Sequence, residues 1–232
     1  MWCVLKKSVL ALTLVIVLAV VGAVFYAIDG FLGSRQPSNN TSKEPQITNT
    51  STYTNSTTGL TYVYGEVQNT LNAHIRHVNV NGTFYNSVDK AIGVYAFGAF
   101  PTIMKPTQKG SFALIVSGPE RDTFDRYELS VNYEPTEDTP LEGLMVLSTS
   151  SFITESGYYK IVGEVKNNGR EKVVGVILYC TFYDSAGKVI GIDFGYTDPR
   201  YIYSSQIAPF EMEWEMQRTP ARYELQVEGK LP

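Results

Sequence analysis

Residues 162–191 read VGEVKNNGREKVVGVILYCTFYDSAGKVIG, and residues 64–93 read YGEVQNTLNAHIRHVNVNGTFYNSVDKAIG. The two segments align without a gap at an offset of 98 residues. Within each, apolar and polar residues alternate, the period of two that a half-buried strand requires. In VILYCTFYD, Val176, Leu178, Cys180 and Phe182 share one face, while Tyr179, Thr181 and Tyr183 take the other. In the first copy Val78, Val80, Gly82 and Phe84 occupy the matching face, with Asn79, Asn81 and Thr83 opposite. NNG (167–169) and DSAGK (184–188) are turn chemistry between strands.

The repeat extends in both directions. FEMEWEM (210–216) alternates again, with Phe210, Met212, Trp214 and Met216 facing in and Glu211, Glu213 and Glu215 facing out. Those like charges also protect a sheet edge. Phe112 aligns with Phe210, and RYELSV (126–131) with RYELQV (222–227) after a two-residue slip. Upstream, QITNTSTYTNSTTG (46–59) aligns with LMVLSTSSFITESG (144–157), so the polar, Thr-rich residues 47–58 are expected to form a first strand. The expected domains are therefore residues 46–135 and 141–230, joined by a linker at 136–140 within the acidic stretch EPTEDTPLEG. Units of this size suit small β-sandwiches, and the period is far too long for a solenoid. No convincing amphipathic helix appears outside the N-terminal segment. The fold class is all-β, with Gly65, Gly163 and the turn residues shaping the backbone.

The N-terminus sets the expected compartment. MWCVLKK (1–7) precedes an uncharged run at 8–28, about as long as a bilayer-spanning helix needs. Lys6 and Lys7 lie before it and Asp29 after it, so the positive-inside rule places residues 1–7 in the cytoplasm and the rest outside. A cleaved signal peptide is the rival reading, but its apolar region is typically shorter. Residues 29–45 read as a flexible, polar stalk. Cys3 and Cys180 then lie on opposite sides of the membrane and cannot pair within one chain, so packing must hold the domains together. The mild acidity, with 19 basic against 23 acidic residues, argues against nucleic acid as a partner.

GEVKN, an alternating strand ending TFYD and the following AGKVIG together resemble the FxLyD domain family. The motif's aspartate falls on Asp184, its tyrosine on Tyr183, its leucine position on Phe182 and its leading phenylalanine position on Cys180. The first copy departs further, with Gly82, Phe84, Tyr85 and Asn86. The resemblance covers both repeats. It implies two tandem immunoglobulin-like β-sandwiches on a prokaryotic envelope protein, and glycosylated sequons would fit an archaeal one. It implies no catalytic chemistry.

Candidate chemistry is sparse. His74 and His77 are three apart, which on a strand places them on opposite faces, and no further ligand stands nearby with metal spacing. Both read as surface or loop histidines. Cys180 lies on the apolar face and reads as a small buried hydrophobe. No G-x-S-x-G elbow occurs, and the strand-face glutamates do not form an acid–base pair. No catalytic, cofactor or metal residue is expected, and no cofactor.

Two features point elsewhere. Sequons occur at Asn39, Asn40, Asn49, Asn55 and Asn81, all on the outer side of the expected topology. DFGYTDPRYIYSSQIAP (193–209) packs Phe194, Tyr196, Arg200, Tyr201 and Tyr203 around one turn. Tyr and Arg are over-represented at interface hot spots, although aromatics capping the core would look alike. The matching stretch of the first copy, VYAFGAFPTIMKP, is poorer in tyrosine. The expected function is a non-enzymatic interaction or structural module of the cell envelope, contacting an envelope protein or glycan. The alternative is an accessory ectodomain of a transport or secretion complex.

Overall fold

The computed structural model describes residues 44–116, 124–216 and 218–232. The expected cytoplasmic residues 1–7, membrane span 8–28 and stalk up to residue 43, with Cys3, Asn39 and Asn40, lie outside the described residues. Among those described, no helix is long and apolar enough to cross a membrane.

Each repeat builds the same pair of antiparallel sheets. In the first, β1 (Gln46–Thr54), β2 (Thr61–Gln68) and β6 (Lys109–Val116) lie in the order β1-β2-β6. Facing them, β3 (His74–Tyr85) pairs with β4 (Ala91–Gly98) and the short β5 (Ile103–Met104) along one side, and with β7 (Arg126–Thr136) along the other. In the second repeat β8 (Leu144–Ile153), β9 (Tyr159–Asn167) and β13 (Ile207–Trp214) form one sheet. Its partner centres on β10 (Val173–Tyr183), flanked by β11 (Val189–Tyr196) and β12 (Tyr201–Ile202) on one side and β14 (Arg222–Lys230) on the other.

The alternating residues fill the space between each pair of sheets. Val176, Leu178, Cys180 and Phe182 are buried with Ile161, Phe210, Met212 and Trp214, and the Phe182 and Trp214 rings stack with centroids 4.1 Å apart. Val78, Val80 and Phe84 do the same with Val63, Phe112 and Leu114. Each such side chain contributes about 1.5–3 kcal/mol on leaving water. Glu211 and Glu213 face outward on edge strand β13, where Lys160 bridges them, and Glu215 is exposed just beyond its end.

Two of the glycines shared by the repeats, Gly65 and Gly163, act through space rather than torsion. A Cβ on Gly65 would stand 2.7 Å from Phe112, and one on Gly163 would stand 2.7 Å from Phe210, so each glycine seats its cross-strand phenylalanine. The polar staples repeat as well. Asn69 and Asn167 are fully buried, and their Nδ2 groups donate to the backbone of the β5 and β12 segments at Met104 and Ile202. Asn86 and Asp184 cap equivalent turns, each Oδ1 accepting two backbone N–H groups. Strand β1 stops at Thr54, short of the expected residue 58, because Asn55 Oδ1 accepts the N–H groups of Thr57 and Thr58 and folds the chain into a turn. Gly59 completes it at φ 67°.

The outer face of the β10 sheet departs from a simple sandwich surface. Thr181 and Tyr183 point away from their own core, yet they are only 4% and 1% exposed. The first repeat covers them: the β1-β2-β6 sheet lies against the β10 sheet, and Tyr64, Ala113, Tyr183 and Val189 form a third buried cluster with Tyr53, Tyr62 and Ile192 around it. Polar contacts cross the same interface, from Ser111 to Thr181, from Ser51 to the Val189 carbonyl and from Gln108 to Gln226. The two repeats are thus joined face to face, a three-stranded sheet of one on the β10 sheet of the other. The faces equivalent to these point outward and carry polar residues alongside the exposed Val94, Met145, Phe152 and Ile207. Asn81, Thr83 and Tyr85 stand where the second repeat has Tyr179, Thr181 and Tyr183; Lys160, Val162 and Glu211 stand where the first has Tyr62, Tyr64 and Ala113.

Candidate partner-contact surface

One end of the β10 sheet remains uncovered, and there the tyrosine-rich segment 193–209 lies. Strand β11 carries Phe194 and Tyr196 on its outer face, opposite Tyr179 and Ile177. The chain then turns at Asp198–Pro199, whose peptide bond is cis, as is Phe100–Pro101 at the same point of the first repeat. Thr197, almost fully buried, donates its hydroxyl to the Pro199 carbonyl, and the Val176 N–H donates to the Arg200 carbonyl. Buried Asn167 holds the next stretch through the Ile202 carbonyl, and Ser205 N–H returns to the Asn167 carbonyl. Backbone bonds therefore fix a corner whose side chains face solvent: Phe194, Tyr201 and Tyr203 are 54%, 42% and 49% exposed.

The structure places Tyr196, Arg200, Tyr201 and Tyr203 here with Phe194 and adds Lys172. The Arg200 guanidinium lies 3.8 Å from the Tyr196 ring centroid. Tyr201 and Tyr203 meet edge to face at 5.7 Å, with the Lys172 ammonium 4.4 and 5.0 Å from their centroids. Neither cation has an ion pair among the described residues. Cations held over aromatic faces keep their charge while losing freedom. Lys172 escaped sequence reasoning because it lies about thirty residues upstream, at the start of β10. Asn167 had a visible signal, an asparagine at the same place in both repeats.

The sequons divide by environment. Asn49 is half-buried at φ 54°, and its Nδ2, the atom that would carry a glycan, donates to Glu66 Oε2 at 2.6 Å. Asn55 caps its turn. Asn81 sits mid-strand on the outer face of β3, partly exposed.

The remaining candidates have structural partners. His77 is exposed at a bulge with φ 50°, and its Nδ1 lies 3.2 Å from Glu134; His74 contacts the Asp138 carbonyl. Among the described residues no group of three His, Cys, Asp or Glu side chains is placed to hold a metal ion. Cys180 is buried, and burial, then the nearby Asp193, pushes its thiol far up, away from the reactive thiolate. Burial also pushes the carboxyl of Asp193, opposite Cys180 on β11, up to about 6. A cleft of about 1270 Å³ runs between the 101–108 loop of the first repeat and residues 139–144 and 226–231 of the second.

No protein-family model matches the chain, and no curated protein matches it. Among solved structures, a calcium-binding mutant (D341A D367A) of Bacteroides uniformis beta-glucuronidase 2 aligns over 80% of this chain at 18% identity and a TM-score of 0.23. The alignment spans only 25% of the enzyme chain, and at that TM-score it carries no argument about fold or activity.

Proposed function

We propose that this chain is a non-enzymatic interaction or structural module of the cell envelope. In this reading it is anchored by residues 8–28 and built from two immunoglobulin-like sandwiches of the FxLyD kind. The paired three-stranded and β10-type sheets, repeated with the same order, support the sandwich reading. The anchoring rests on the apolar run and its flanking charges. The observation that carries the function is the cluster of Tyr196, Arg200, Tyr201, Tyr203 and Lys172, at a corner where Phe194, Tyr201 and Tyr203 are exposed, on a sheet whose Tyr179 and Tyr183 are covered by the first repeat. Asn81 is the described sequon whose placement best suits a glycan, and intact-mass and peptide mapping of native protein tests its occupancy.

Amine-reactive cross-linking of intact native cells tests the function. Capture of one envelope protein through residues 46–232 is the expected result. Recovery of a single transport or secretion complex moves the protein to an accessory ectodomain. Recovery of nothing specific overturns the interaction reading.

A further inference from the structure

The two repeats carry the same corner, and the structure shows one of the two corners docked. In the first repeat it runs through Phe100, the cis Pro101, Thr102 and Ile103 to Lys105. Its β5 pairs with Ile75 and Arg76, just as β12 pairs with Val173 and Val174. This corner meets the second repeat through carboxylates. Thr102 donates its N–H and its hydroxyl to Glu228 Oε1 at 3.0 and 2.8 Å, and Lys105 donates to Glu142 Oε1 at 2.9 Å. Phe100 stacks on Tyr179 with centroids 4.8 Å apart.

At the 98-residue offset Thr102 becomes Arg200, Lys105 becomes Tyr203, Ile103 becomes Tyr201 and His74 becomes Lys172. The second corner thus keeps carboxylate-binding chemistry and strengthens it: two cations and two tyrosine hydroxyls stand at the positions of His74, Thr102, Ile103 and Lys105, of which Thr102 and Lys105 bind the carboxylates in the first. Arg and Lys held over aromatic rings lose less freedom on pairing with a carboxylate.

We infer that the Lys172–Arg200–Tyr201–Tyr203 corner binds a carboxylate-bearing surface of another protein, as the equivalent corner of the first repeat binds Glu142 and Glu228. This rests on the reading that the chain is an interaction module and names the chemistry of its partner. A protein carboxylate is favoured over a glycan because the docked corner uses protein carboxylates, and because Arg200 and Lys172 already lie against the rings on which a sugar would stack. A second copy is disfavoured. The outer face of its β3 sheet has Asn81 in place of Tyr179 and Asn132 in place of Glu228.

Zero-length carbodiimide cross-linking of native membranes containing the full chain tests this, because the reagent joins an amine only to a carboxylate in contact with it. The Lys105–Glu142 link within the chain is the built-in control. The expected result is a Lys172 link to an Asp or Glu of a different protein. That link should fall at least tenfold in Tyr201→Ala/Tyr203→Ala, with the control link unchanged. Lys172→Arg should lose the link but retain the partner in co-purification. Three results overturn the inference: no Lys172 link while the control forms, a link to a uronic acid, or a link to a second copy of this chain. If amine-reactive cross-linking still captures a partner through other residues, the module reading survives and this inference alone fails.

Discussion

The Tyr183 hydroxyl of the second repeat donates to Glu66 Oε1 of the first at 2.6 Å, inside an interface where both residues are essentially fully buried. Asn49 and Lys109 hold the other carboxylate oxygen at 2.6 and 3.2 Å, and Glu224 lies 3.2 Å from the same Tyr183 hydroxyl. Burial, then Glu66, pushes the phenol's ionisation upward, so it remains a donor. A buried carboxylate is tolerated only when partners surround it. Removing one partner is therefore costly. Tyr183→Phe is expected to lower stability by about 1.5–3 kcal/mol. Denaturant unfolding checks this, and a double-mutant cycle with Glu66→Gln should show coupling between the two sites.

Asn49 belongs to the same network, so two sequons should respond differently to the same change. Asn49→Asp would place a second carboxylate against Glu66 and lose the donated bond, costing about 2 kcal/mol or more. Asn81→Asp, on an outward strand position, should stay within about 0.5 kcal/mol of the parent chain. Thermal unfolding of the two variants side by side decides it.

The paired glycines give a graded test of packing. An added methyl at Gly65 first meets the Phe112 ring at 2.7 Å, a side chain that can shift. At Gly163 it meets the Ser148 carbonyl at 2.3 Å, which cannot shift without moving β8. Gly163→Ala is expected to destabilise by about 2–3 kcal/mol and Gly65→Ala by less. Equal losses in urea titrations would contradict this.

Asp193 ties stability to pH. Its carboxyl is raised from 3.8 to about 6 because burial favours the neutral form. The folded state therefore holds its proton more tightly than the unfolded chain. That contribution is fully present below pH 3.8 and is lost as pH rises through about 6. Asp193→Asn should be more stable than the parent by about 1–3 kcal/mol at pH 7.5, and the difference should close by pH 4. A difference independent of pH would refute the account.

The strand faces could be read from the sequence because a period of two needs only the local pattern, and Val176, Leu178, Cys180 and Phe182 are buried as that pattern requires. Tyr183 shows the limit. Its position marks it as outward-facing, and only contact with residues more than a hundred positions away, Glu66 and Tyr64, buries it. A trace of that contact does exist in the text, since the repeats diverge where they touch, as in Tyr64 against Val162 and Tyr179 against Asn81. The repeat alone does not say which divergent positions meet. The tyrosine-rich corner was visible as composition, whereas its Lys172 is the residue just before β10 and becomes visible only in three dimensions.

Face-to-face packing of the two repeats is the central claim, because it leaves one aromatic corner docked and holds the other in a fixed place. Residual dipolar couplings measured separately for residues 46–116 and 144–230 test it most directly. A single alignment tensor fitting both sets is the expected result, and Tyr183→Phe with Glu66→Gln should loosen that agreement. Two independent tensors in the parent chain would show repeats that move freely of one another and would contradict the account.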